Sequence, residues 1–509
     1  MGYLIGIDVG TSGTKTLLID EEGALVASAT VEYPLYTPKA SWAEQDPADW
    51  WQATVETVRR VLADSGAGGD QIRGIGLSGQ MHGSVFLDED QQVIRPAILW
   101  CDQRTSEQCD WIAEKVGQAD IVAETCNPVL TGFTAPKIIW LRQQEPENYQ
   151  RVRKVLLPKD YIRLKLTGEF ATEVSDASGT SLLNVRERRW SEVVLDRIEL
   201  PLDYLPAVFE SQQVSGTITS QVAAATGLAE GTPVVGGGGD QAAGAVGNGI
   251  VEAGIVSSTT GTSGVVFAHL DEPLMDEQLR THTFCHAVAG KWHVMGVMLS
   301  AGGSFRWLRD AICGDECGVA ELTGRDPYEY MTAAAAQAPI GAEGLIFLPY
   351  LSGERTPYAD PSAKGVFFGL HLRHDKRHLS RAVMEGVAFG LRDSFEIIEE
   401  MGVSVGQVRA SGGGARSELW RQIQADVTGR AHCTINVDEG PAFGVALLAG
   451  VGVGVWNSVP EACRATITVV DERQPCASAK AQYDQYHGLY RRLYAQLREC
   501  FDDMGRILG

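Results

Sequence analysis

No Cys-x-x-Cys pair occurs among the ten cysteines of this 509-residue chain. They are scattered without a framework, which removes a disulfide scaffold and leaves free thiols in a reducing cytoplasm as the expectation. Basic residues are scarce: 43 Lys and Arg stand against 65 Asp and Glu, a formal net charge of −22. That balance argues against nucleic acid or an anionic membrane as the main partner. It also means that an anionic ligand needs a locally organised site. The first residues carry no basic stretch and only a five-residue apolar run, so no signal peptide is expected. One uncharged run, Gly440 to Pro460, is long enough to cross a bilayer. Its many glycines, with Asn457 and Ser458, favour a buried helix followed by a turn. Neither a Walker A motif nor a protein-kinase signature is present.

What the chain does have is one tetrapeptide twice. Gly-Thr-Ser-Gly occurs at Gly10-Thr11-Ser12-Gly13 and again at Gly261-Thr262-Ser263-Gly264, each between two strand-like apolar runs. Each unit reads as a tight hairpin, and such turns gather N–H groups and hydroxyls suited to phosphate oxygens. Length calls for two or three domains. Strand and helix signals alternate in both halves, with strands expected from Tyr3 and again from Gly254. A helix is expected to start at Asp46-Pro47, and others at Pro136–Gln144, Leu379–Met401, Ser417–Thr428 and Pro441–Val451. This is an α/β plan given twice, with domains expected over 1–248 and 249–509.

Asp8 ends a buried apolar strand and starts the first turn. A carboxylate there is costly unless it meets a cation; it either holds a Mg²⁺–phosphate group, through water, or caps its own turn. Val234 to Gly239 runs through four glycines into Asp240 and Gln241. Asp240 can accept a proton from a substrate hydroxyl, or serve as a helix N-cap, or both. Gly74-x-Gly76-x-x-Gly79 matches a dinucleotide fingerprint literally but runs on into another strand, so that reading is set aside. Gln80, Met81 and His82 after it can approach a polyol, or be structural. Ser411-Gly412-Gly413-Gly414 and Gly302-Gly303 are points of close backbone approach, for a flat ring, a phosphate or tight packing. His282, Cys285, His286 and His293 lack the carboxylates that would strengthen a metal reading.

Longer segments carry a resemblance. Gly132-Phe133-Thr134-Ala135-Pro136-Lys137-Ile138-Ile139-Trp140-Leu141 resembles the first signature of the FGGY carbohydrate kinases, and Gly365–Leu370 with His378 to Glu385 resembles the second. Gln80–Gly83, Leu157–Tyr161 and Leu351–Pro357 are similar to further family segments. The resemblance implies two RNase-H-like domains of the actin/hexokinase/Hsp70 type closing on ATP and a sugar. It implies Mg·ATP-dependent phosphorylation of a ketose, D-xylulose, with ribulose, gluconate, fuculose or glycerol as alternatives. A nucleotide-switched protein of the same fold is the non-catalytic alternative. By the resemblance Asp240 is the general base and Asp8 lies near Mg²⁺ and phosphate. Met81 and His82 contact the sugar, with Gln80, Trp100 and Gln241 beside them. Gly10 to Gly13, with Thr260, Gly261 and Thr262, face the phosphates. Gly302, Gly303, Gly413 and Gly414 lie on the nucleotide side. Gln241 stands where some members carry Asn. A homodimer is a family-based expectation. Beyond about residue 455 only helical packing is expected.

Overall fold

In the computed structural model, which describes residues 2–508, two sheets share one topology. The first contains β1 (Tyr3–Val9), β2 (Gly13–Asp20), β3 (Leu25–Glu32), β4 (Ile72–Gly79), β5 (Val214–Thr217) and β6 (Pro233–Val235), in the order β5-β6-β4-β1-β2-β3. The second contains β7 (Gly254–Thr260), β8 (Gly264–Leu270), β9 (His282–Cys285), β10 (Trp292–Met298), β11 (Val405–Ser411), β12 (His432–Ile435) and β13 (Val469–Arg473). Its order is β9-β10-β8-β7-β11-β12-β13. Without β9 the two are the same plan: an antiparallel meander, two parallel strands beside its first member, and an antiparallel edge. The repeated tetrapeptide makes the first turn of each meander.

The region after residue 455 departs from the helix-only expectation. Val469–Arg473 pairs with β12 and closes the edge of the second sheet. Its residues are mostly exposed, so it carries no apolar alternation by which a strand is recognised.

Helices cover these sheets where the apolar period dictates. Helix α1 (Pro47–Ser65) starts as its sequence predicts: the Asp46 carboxylate accepts from the Ala48 N–H at 2.9 Å and Pro47 takes the first position. It buries Trp50, Val58, Val61 and Leu62 against Ile5, Ile7 and Val9 of β1. Helices α2 (Thr134–Gln144), α3 (Pro158–Thr167), α4 (Asp240–Gly247), α5 (Gly302–Ile312), α6 (Lys376–Glu400) and α7 (Glu418–Thr428) follow in the chain.

The uncharged run forms α8 (Gly440–Gly452), and a turn follows it. Among the described residues no helix is long and apolar enough to cross a membrane. Helix α8 packs on the first sheet although in sequence it lies between β12 and β13 of the second. Ala442 to Ala449 share a core with Leu4, Leu17 and Ile19 and with Ala242, Ala243 and Val246 of α4. The approach is backbone to backbone. A β-carbon on Gly6 would collide with the Ala442 carbonyl, one on Gly76 with that of Val445, and one on Gly444 with that of Ala243. This gives the Gly74–Gly79 segment its role: Gly74 and Gly76 lie within β4 and admit α8, while Gly79 ends the strand against Lys159 and Val9.

Gly76→Ala should therefore force α8 off the sheet and cost about 1–3 kcal/mol, the usual penalty of overpacking. A thermal melt reads this directly; an unchanged melting temperature would show that the contact can relax.

Candidate active site

The two hairpins are built alike. In the first, the Gly10 N–H donates to the Gly13 carbonyl at 3.0 Å; in the second, Gly261 N–H donates to the Ser263 carbonyl at 3.0 Å. In both tetrapeptides the Ser or Thr at the tip is exposed, Ser12 in one and Thr262 in the other. The first turn is fastened from behind. The Tyr33 hydroxyl donates to Gly10 O at 2.6 Å and Gln45 Nε2 to Thr11 O at 2.7 Å. The Trp100 indole N–H donates to Thr11 Oγ1 at 2.9 Å, while its ring is largely exposed. Gln80 is buried: it accepts from Thr11 Oγ1 at 3.2 Å and donates to Gln45 Oε1 at 3.0 Å. Its amide is thus committed to the turn.

Asp8 is the sixth residue of β1, so by strand alternation it shares a face with Leu4 and Gly6 and lies beyond the point where α8 covers that face. The register sets its neighbours: Ser78 on β4 and Lys15 on β2. Its Oδ1 is buried with no hydrogen-bond partner, so it does not cap its own turn. Burial pushes the carboxyl up to about 6, with Ser78 and Lys15 pulling the other way. An unpartnered carboxylate oxygen at the mouth of a hydroxyl- and glycine-lined turn fits a hydrated Mg²⁺ carrying phosphate.

Asp240 is the first residue of α4; the N-cap position belongs to Gly239, which removes the capping alternative. The glycine run is held from beneath. Gly238 and Gly239 pair with Ser78 and Gly79 of β4, and Gly239 N–H donates to Ser175 Oγ at 3.1 Å. Arg163, fully buried, donates to Val235 O at 2.6 Å. Burial raises the Asp240 carboxyl to about 7, and the Asp8 charge adds to the rise, while Gln241 opposes it. Two buried carboxyls, one of them raised further by the charge of the other, form a pair whose chemistry suits proton acceptance and cation binding.

On the opposite side of Asp240, Met81 packs against Gly239 and reaches Gly179. The His82 ring stacks on Phe133, with centroids 4.5 Å apart, and its Nδ1 lies 2.6 Å from Gly179 O. A carbonyl only accepts, so Nδ1 carries the proton and Nε2 is left as an acceptor. Burial drives the imidazolium down to about 3, so the ring is neutral at working pH. Phe133 joins Ala245 of α4 and Val265 of β8 in one apolar cluster that ties the two halves together beside the second hairpin.

The second hairpin opens into a cavity of about 930 Å³ lined by Thr260, Gly261, Thr262, Gly302, Gly413 and Gly414, together with Tyr328 and Trp420. That volume suits a nucleotide. A β-carbon at Gly413 would meet open space, whereas one at Gly414 would strike Thr260. Gly303 does not line the cavity. The Gly302 and Gly303 N–H groups donate to Gly261 O and Thr262 O at 2.7 and 3.0 Å. They lock the hairpin and are not free for phosphate. Sequence reasoning missed Tyr328 and Trp420, because single aromatics far apart in the chain carry no local pattern. The His282, Cys285, His286, His293 group is no metal site: Phe267 stacks on His293 at 4.2 Å, and these side chains do not converge as ligands.

A duplicated sheet plan, a nucleotide-sized cavity at the second hairpin and two buried carboxyls near the first agree with what family comparison finds. Residues 3–247 match the N-terminal domain model of the FGGY family of carbohydrate kinases, and residues 256–453 match its C-terminal domain model. The chain belongs to the FGGY family of carbohydrate kinases. Among its relatives, the Escherichia coli K12 xylulose kinase is 43% identical over 97% of this chain and 99% of its own length. The Bacillus subtilis xylulose kinase is 39% identical over 98% of both. The crystal structure of ligand-bound xylulose kinase from Lactobacillus acidophilus superposes with a TM-score of 0.92 at 26% identity, over 99% of this chain and all of that one. The FGGY kinase fold expected from the sequence, of the actin/hexokinase type, is therefore the fold of this chain, and the enzyme is a sugar kinase that uses ATP with Mg²⁺.

Because the Asp8 charge adds to the rise of Asp240, Asp8→Asn should lower the Asp240 pKa below its value of about 7. A ¹³C titration of labelled aspartates measures it. An unmoved Asp240 would mean that burial alone sets its value.

Proposed function

We propose that this kinase transfers the γ-phosphoryl group of ATP to D-xylulose, forming D-xylulose 5-phosphate and ADP. The Asp8–Asp240 pair carries the reading of the chemistry, and two xylulose kinases related over nearly the whole chain support the choice of sugar. The first domain, about residues 1–248, takes the sugar, and the second, about 249–509, takes the nucleotide. Met1 and Gly509 lie outside the described residues.

In this reading the sugar lies between Asp240 and the Met81–His82 turn, with Gln241 and Trp100 at its edge. His82 accepts a hydrogen bond from a sugar hydroxyl through Nε2. Asp240 accepts the proton of the attacking hydroxyl as its oxygen bonds to phosphorus and the bond to the ADP oxygen breaks. The two hairpins hold the phosphates with N–H groups and with the Thr11, Ser12 and Thr262 hydroxyls. Gly413 and Gly414 let the adenosine approach the backbone. Asp8 holds the cation, and Mg²⁺ when bound spreads the phosphate charge. Closing the cleft excludes water and limits loss of ATP to hydrolysis. The ten cysteines, all free among the described residues, support a cytoplasmic location. The enzyme works as a homodimer, which light scattering checks.

Asp240→Ala should lose about 10²–10⁴-fold in kcat while still binding both ligands. Near-wild-type turnover would move the base elsewhere. For the wild type, kcat/KM should rise with pH through about 7, because Asp240 accepts a proton only once ionised. A flat profile from pH 5.5 to 8 would rule that out. A panel of ketopentoses, polyols and sugar acids, read as ADP release, tests the sugar: preference for another member would keep the mechanism and remove xylulose.

A further inference from the structure

Lys137 is fully buried, yet no carboxylate among the described residues lies within ion-pairing distance of it. Asp102, the nearest carboxylate by its effect, is already bound to Arg104 at 2.7 Å. Taking an ammonium out of water without a counter-ion is expensive, and burial lowers the Lys137 pKa to about 7. Its hydrogen bonds go instead to two backbone carbonyls. Lys137 Nζ donates to His82 O at 2.9 Å and to Gly132 O at 2.8 Å. Those carbonyls belong to the two segments that carry the stacked pair, His82 and Phe133. Thr134, three residues earlier on the same face of α2, donates through Oγ1 to the same His82 carbonyl at 3.1 Å.

The object of this grip is a strained residue. His82 has φ of +68°, a left-handed backbone that a residue with a β-carbon rarely adopts. That conformation is what turns the ring onto Gly179 O and Phe133, with Nε2 as its remaining acceptor. We propose that Lys137, assisted by Thr134, is a positioning residue for sugar binding: by clasping the His82 and Gly132 carbonyls it fixes His82 in the orientation that accepts from the sugar. The inference rests on the reading of His82 as a sugar contact. It explains why a lysine, and no apolar residue, fills this buried place: the ammonium supplies donors to both carbonyls from one stem.

The test separates aim from folding. Lys137→Met keeps the stem and removes the donors. It should raise KM for the sugar at least tenfold, with KM for ATP within twofold of wild type. Thr134→Val should raise the sugar KM several-fold, and Thr134→Ser, which keeps the hydroxyl, should restore most of that loss. If Lys137→Met does not fold, as judged by its melting curve, the Thr134 pair decides alone. A folded Lys137→Met, or failing that Thr134→Val, with a sugar KM within twofold of wild type would overturn the proposal. So would a parallel rise in KM for ATP, the mark of a general structural role. Each variant is assayed with the sugar that the wild type prefers. The wild-type control therefore reports on the substrate separately, and no sugar-dependent turnover by the wild type would overturn the His82 reading beneath this one.

Discussion

The two halves are joined by a helix that lies against a sheet with no side chains between them. Helix α8 meets β1 and β4 at Gly6 and Gly76 and crosses α4 at Gly444, each contact too close for a β-carbon. Everything at the site hangs on this approach. Helix α4 carries Asp240 at its first position, β1 carries Asp8 near its end, and α8 holds both elements in one core. An ion pair between Lys15 of β2 and Glu439, at the start of α8, adds a second tie. The side-chain-free contact fixes the separation of two carboxylates that belong to segments more than two hundred residues apart.

That placement is costly to the unliganded protein. The folded state holds Asp8 and Asp240 protonated up to about 6 and 7, above the unfolded value of 3.8. It therefore binds more protons than the unfolded chain between those limits, and the contribution of this pair to stability falls as pH rises through them. The buried histidines act in the opposite sense. His82, His282 and His293 are pushed down to about 3, so their contribution is complete above 6.5 and is lost as pH falls toward 3. The same desolvation thus raises the two carboxyls and holds the His82 imidazole neutral. In a chain of net charge −22, the attraction for phosphate is local and comes from turns, N–H groups and a metal, with little help from the field of the whole protein.

The polar groups divide by what they are bonded to. Gln80 and the N–H groups of Gly302 and Gly303 are used up inside the protein, and they shape the hairpins. Asp8 Oδ1 is left without an internal partner, and the tips at Ser12 and Thr262 stay exposed, although the Thr262 hydroxyl accepts from Arg306 at 2.7 Å. Lys137 belongs to a third kind. It is bonded only to backbone carbonyls, those of His82 and Gly132.

Much of this was legible in the chain itself. The repeated tetrapeptide located both hairpins, Asp46-Pro47 started α1, and the uncharged run was a buried helix, because caps, turns and apolar periods are local properties of adjacent residues. The strand at Val469–Arg473 was not legible, since an exposed edge strand needs no apolar face. Nor were the roles of Gly76 or Lys137. A glycine that admits a helix and a glycine that admits a phosphate look the same in sequence, and a buried lysine looks like a surface one. The sequence by itself determined the duplicated α/β plan and the residue types at the cleft. Tertiary structure alone decided which glycines face a helix and which a cavity, that the Asp8 charge raises the Asp240 pKa, and that one ammonium holds the His82 carbonyl. Those properties depend on distance and desolvation between segments far apart in the chain, and no local pattern encodes either.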